Sequence, residues 1–157
     1  METKFTVDRD NLEVRMERVF DAPRDLVWKV ITDPSLIPQW WGPAKYKTIV
    51  DKMDFKVGGV WRFMHKNDQG DYAFNGVYKE IVPNEKIVDT FEFEPMPGHI
   101  LTETMTLSDL PEGKTQFKQV SKYATIEDLD GMVASGMESG ATETVERLAK
   151  LVEEKNG

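Results

Sequence analysis

The segment Val133 to Val152 reads VASGMESGATETVERLAKLV, and its spacing decides the fold. Val133, Met137, Ala141, Val145, Leu148 and Val152 recur every three or four residues, with Glu138, Glu143, Glu146, Arg147 and Lys150 between them. Side chains so spaced share one face of a helix. The stripe predicts an amphipathic helix of about 20–28 residues, or about 30–42 Å at 1.5 Å per residue. A single apolar stripe of that length needs a long apolar floor. A twisted sheet curling round it provides one.

The preceding residues supply the strands of that floor. Leu12, Val14 and Met16 alternate with Glu13, Arg15 and Glu17, the period-two pattern of a half-buried strand, while residues 1–10 read as a polar lead-in. Asp21-Ala22-Pro23 punctuates it, and Leu26, Val27, Val30 and Ile31 at helical spacing predict a short helix to about Thr32. Asp33-Pro34 ends that helix and opens a second brief helical turn, Ser35 to Trp40. Runs rich in β-branched and aromatic residues follow at 46–53, 60–66, 72–82, 86–93, 100–107 and 115–123. The joints, such as Gly58-Gly59, Pro83-Asn84-Glu85 and Leu110-Pro111-Glu112-Gly113, are turn sequences, and connections this short imply antiparallel neighbours. The expected fold is α+β: about seven antiparallel strands in a meander, curled around a long C-terminal helix, with two short helices after the first strand. One domain is expected over 1–157, with its core at about 12–153.

Composition excludes several functions. The chain has 157 residues, no cysteine, and 20 Lys+Arg against 28 Asp+Glu, for a net charge of −8. A chain this long buries a full core without disulfides, and without thiols it has no thiolate zinc site. The acidic balance and the lack of a basic stripe argue against a nucleic-acid or anionic-membrane partner. No apolar stretch reaches the length of a membrane span, and Met1 to Lys4 lacks the apolar region of a signal peptide. The expectation is a soluble, cytoplasmic protein.

Several stretches then resemble a known family. They are Val19-Phe20-Asp21-Ala22-Pro23 with Val27-Trp28, Asp33-Pro34 leading to Trp40-Trp41-Gly42-Pro43, and Gly58-Gly59-Val60-Trp61-Arg62-Phe63. Gly76-Val77-Tyr78-Lys79-Glu80-Ile81 with Pro83, and Gly136-Met137-Glu138-Ser139-Gly140, continue the series in the family's order. Together they resemble the branch of the START-like, helix-grip superfamily (SRPBCC) named after the activator of the ninety-kilodalton heat-shock protein's ATPase. The resemblance implies a helix-grip fold with a cavity between sheet and long helix. Where the family commonly carries Trp after Gly-Met-x-x-Gly, this chain has Ala141. Either a neighbouring Met or Phe repacks the space, or the cavity is roomier.

Aromatic and sulfur-bearing residues are the candidate lining. Trp61, Phe63 and His65 share one strand face, and Asp89 and Phe91 another with Ile87. Trp28, Trp40, Trp41, Phe74, Met105, Met137 and Ala141 complete the candidate ligand-binding set, with plain core packing as the rival role for each. Trp40 and Trp41 are adjacent, so their side chains diverge and one indole is expected at a rim. An inward Asp89 costs several kcal/mol unless paired or protonated; the alternative is a bulge that turns it to solvent. Glu103, Gln119, Ser121 and Tyr123 are weaker cases of the same kind. Nucleophile-elbow, phosphate-loop and dinucleotide signatures are missing, and two histidines are too few for a metal site.

The sequence therefore points to a binding protein holding an apolar or aromatic small molecule, with no catalytic residue, metal or cofactor assigned. The resemblance supplies the alternatives. One is a co-chaperone-like stimulator with a chaperone as partner; the eukaryotic activators it resembles carry a further N-terminal domain. The other is a cyclase- or hydrolase-type enzyme, whose required sign is a paired acid and base inside the cavity.

Overall fold

In the computed structural model, which describes residues 2–157, the chain runs β1 (Lys4–Asp8), β2 (Glu13–Phe20), α1 (Arg24–Thr32), α2 (Ile37–Trp40), β3 (Lys47–Met53) and β4 (Val60–Asn67). It continues through β5 (Gly70–Val82), β6 (Lys86–Phe93), β7 (Leu101–Leu110), β8 (Lys114–Lys122), α3 (Ile126–Ala134) and α4 (Met137–Asn156). The strands form one eight-stranded antiparallel sheet in the order β1-β2-β8-β7-β6-β5-β4-β3.

Three expectations are corrected. The sheet has eight strands rather than seven, because residues 4–8 of the supposed lead-in pair with β2, Phe5 opposite Met16 and Val7 opposite Val14. This is an edge strand, in which Phe5 packs against the core while Val7 is left exposed. The meander covers only β3 to β8. Residues 21–46 carry the chain through α1 and α2 to the far edge of the sheet, so β2 pairs with β8 instead. The long helix is also divided. Gly136 at φ +83° adopts the left-handed conformation that glycine tolerates, separating α3 from α4 and leaving Val133 exposed rather than on the stripe. Thr125 starts α3 by accepting a hydrogen bond from the Asp128 amide at 3.1 Å.

The C-terminal half of α4 buries Leu148, Ala149 and Val152 in one core with Phe20, Val27 and Val30, and Val145 just before it joins the same cluster. Phe20 stacks on Phe117 with ring centroids 5.2 Å apart, which fixes β2 against β8. Burying each such Val or Leu contributes about 1.5–3 kcal/mol, so this half of the helix anchors the rest. A smaller cluster of Val14, Leu101, Tyr123 and Leu129 holds α3 to the sheet. Among the described residues no helix is long and apolar enough to cross a membrane.

Candidate functional site

The N-terminal half of α4 does not pack solidly on the sheet. Its face of Met137, Gly140, Ala141, Thr144 and Val145 stands over a cavity of about 320 Å³. Ala141, small where the family resemblance leads one to expect an indole, borders this space directly. Two contacts hold the neighbouring segment in place. Arg147 of α4 donates to the carbonyl oxygens of Gly42 and Gln39, and the Ala44 amide donates to Glu143 at 2.6 Å. The helix and the residue 39–44 segment thus form one wall.

The aromatic wall comes from β4, β5 and the same segment. Trp41 follows the last residue of α2 in extended conformation, and its ring meets those of Phe63, His65 and Phe74 at 5.1, 4.9 and 5.2 Å. His65 stacks on Tyr46 at 4.9 Å and 7°, and only 6% of it is exposed. Its Nε2 has no hydrogen-bond partner among the described residues, and a Cβ added at Gly42 would lie 2.2 Å from that atom. Burial, helped by the Arg147 charge, pushes the imidazole down to about 4. His65 is therefore neutral at physiological pH and serves as an aromatic surface.

The opposite wall is polar. Strand register places Tyr78, Asp89, Glu103 and Ser121 side by side across β5, β6, β7 and β8, all bordering the cavity. The register shift opposite Asp89 lies on β5, between Tyr78 and Glu80, so β6 keeps its alternation and Asp89 stays inward with Ile87 and Phe91. The Asp89 and Glu103 carboxyl groups are within hydrogen-bonding reach of each other, and Gln119 Nε2 donates to Glu103 Oε2 at 3.1 Å. Because Glu103 already accepts from Gln119, it is the better acceptor of the pair, and Asp89 holds the shared proton. Burial, then the neighbouring Glu103 charge, raises the Asp89 carboxyl well above its ordinary range. Burial lifts Glu103 to about 7. Both side chains are half-exposed only because they face the cavity.

Ten of the twelve candidate residues border this cavity: Trp40, Trp41, Phe63, His65, Phe74, Asp89, Phe91, Met105, Met137 and Ala141. Trp40 is 8% exposed and Trp41 half-buried, and both reach the space because the backbone changes from helical to extended between them. Trp61 and Trp28 lie outside the lining. Trp61 sits behind Trp41, Phe63 and Phe91, its indole N–H unpartnered among the described residues, while Trp28 of α1 packs on Phe55. Tyr78 was not among the candidates, and Glu103, Gln119, Ser121 and Tyr123 carry more of the site than their weak sequence signal suggests. Folding the β6–β7 hairpin about its loop sets Asp89 opposite Glu103, and that register was the available clue.

The family described as Activator of Hsp90 ATPase homolog 1-like protein matches residues 21–153, and the chain belongs to it. Solved structures share the fold. A protein of Arthrobacter aurescens is 23% identical at a TM-score of 0.89, covering 96% of this chain and 91% of its own. One from Chromobacterium violaceum is 27% identical at 0.80, covering 90% and 97%. The AHSA1 protein of Silicibacter pomeroyi is 19% identical at 0.73, covering 91% and 99%. No curated protein matches the sequence.

Proposed function

With membership of the Activator of Hsp90 ATPase homolog 1-like family as the premise, we propose that this protein holds an apolar or aromatic small molecule between its sheet and α4. The observation that carries the reading is the cavity of about 320 Å³, aromatic on one wall and polar on the other. Pockets that bind small molecules combine an apolar lining with a few convergent polar groups, the first supplying affinity and the second orientation. Trp41 borders the space and is a built-in reporter. Titration with flavonoid-like and lipid-like compounds should change tryptophan emission saturably, and Ala141→Trp should abolish the response by filling the space. A silent panel beside saturable binding of purified Hsp90 would overturn this reading in favour of the chaperone partner that the family's description names.

The Asp89–Glu103 pair favours one second reading, acid–base chemistry of the cyclase or hydrolase type on the bound molecule. A carboxyl pair that keeps a proton near neutral pH both gives and takes protons. Turnover lost in Glu103→Gln with binding retained would mark an enzyme; binding without turnover of any compound marks a carrier.

A further inference from the structure

We infer that the molecule held in this cavity carries a basic nitrogen, whose ammonium group seats on Asp89 and Glu103 while its apolar body lies against Trp41 and Phe63. The inference rests on the cavity being a binding site, as proposed above. Three observations point to this class of ligand.

First, the pair has no counter-ion of its own. Among the described residues no lysine or arginine borders the cavity, whereas half-buried Glu94 is paired with Arg62 at 2.8 Å and Glu146 with Arg18 at 2.8 Å. Second, the hydroxyl groups flanking the pair are unpartnered. Tyr78 is 4% and Ser121 5% exposed, both border the cavity, and neither side chain makes a hydrogen bond among the described residues. Third, the donor and acceptor count fits. An alkylammonium has three donors and no acceptor, and this wall offers two carboxyl groups and two hydroxyl oxygens. A carboxylate or phosphate would meet like charge here.

The other groups facing the pair do not supply the missing cation. Tyr78 from β5 and Tyr123 beyond β8 are held in their neutral forms by burial, with the nearby carboxyls reinforcing the effect. The faces of α3, α4, α2 and β2 on the cavity contribute no titratable group, and His65 of β4 is neutral. An entering ammonium brings one positive charge, and a carboxylic proton of the pair leaves to the buffer in exchange. Glu103, held at about 7, is the group that must ionise. Because an alkylammonium stays charged to about pH 10, amine affinity should rise about tenfold from pH 6 to pH 8.

Calorimetric titration of the full chain with three matched probes tests this: 2-(1-naphthyl)ethylamine, 2-(1-naphthyl)ethanol and 1-naphthylacetate. The expected result is the amine tightest at pH 8, weakening about tenfold at pH 6 with proton release seen in two buffers of different ionisation enthalpy. The alcohol should change less than about twofold, and the acid should bind weakest. Glu103→Gln should remove the amine's advantage over the alcohol and abolish the pH dependence of amine binding. An alcohol or acid that binds wild-type protein as tightly as the amine at pH 8 overturns the inference and leaves the binding reading standing. So does silence from all three probes when a neutral compound of the wider panel binds. Silence from the probes and the panel together overturns both.

Discussion

Replacing Glu103 with Gln removes one ionisable group from the cavity wall and keeps its shape. Gln at this position can still accept from Gln119 and can donate to Asp89, so hydrogen bonding survives and the charge alone is lost. The magnitude comes from the displaced titration, from an ordinary 4.5 to about 7 in the folded protein. Each tenfold change in proton affinity is worth about 1.36 kcal/mol, which gives about 3 kcal/mol. Some solvent contact through the cavity and the coupling to Asp89 trim this to about 2–3 kcal/mol. Between pH 4.5 and 7 the folded chain binds more protons at Glu103 than the unfolded one. The stabilisation from that proton is complete below 4.5 and is lost as pH rises through 7. Wild-type and Glu103→Gln proteins should therefore be equally stable near pH 4.5, with the variant about 2–3 kcal/mol more stable at pH 8. Urea denaturation at half-unit pH steps measures the difference curve, in which contributions shared by the two proteins cancel. Parallel stability curves across the whole range would refute the buried, proton-holding pair.

His65 works in the opposite direction: its folded value is depressed from 6.5 to about 4, so the stability it contributes is present above pH 6.5 and lost as pH falls toward 4. NMR of its ring should show a neutral imidazole at pH 5.5; a midpoint near 6.5 would contradict the assigned burial. Gly42→Ala places a methyl on His65 at a left-handed φ of +81°, and should destabilise by more than about 2 kcal/mol in thermal or urea unfolding. A neutral outcome would mean that the segment shifts freely. Acrylamide should quench Trp41 more than Trp40 in single-tryptophan variants, and equal protection of both would count against their differing exposure.

The strands were legible because Gly, Pro and Asn mark nearly every joint, and α4 because its stripe runs for four turns. β1 was not, since five residues at a sheet edge show too little alternation to stand out from a polar tail. Gly136 reads equally well as a tolerated helical glycine and as a break, and only packing of α3 against Tyr123 and Leu101 selects the break. Period-two spacing found the aromatic wall. It could not rank depth, so Trp61 looked equivalent to Phe63 although other rings cover it. The acidic wall was hidden for another reason. Asp89 and Glu103 lie on different strands, and their meeting depends on register, which turn geometry and the irregularity on β5 set.

The pairing of β2 with β8 bears on how the chain reaches this structure. Phe20 lies opposite Thr115, so the contact that seats the N-terminal hairpin closes a loop of about a hundred residues. Relative to a five-residue turn, that closure costs about 2.7 kcal/mol more in chain entropy. On a ribosome, β3 to β7 can zip up locally as each hairpin emerges, but β2 waits for β8 and the anchoring half of α4 waits longer still. The nascent chain therefore passes through a stage with an open sheet edge and an uncovered aromatic wall, the kind of surface on which misassembly begins. A circular permutant that joins the ends of the chain and opens it between α2 and β3 leaves the hairpins of β3 to β8 intact and shortens the β2–β8 loop to about sixty residues, so it should fold faster.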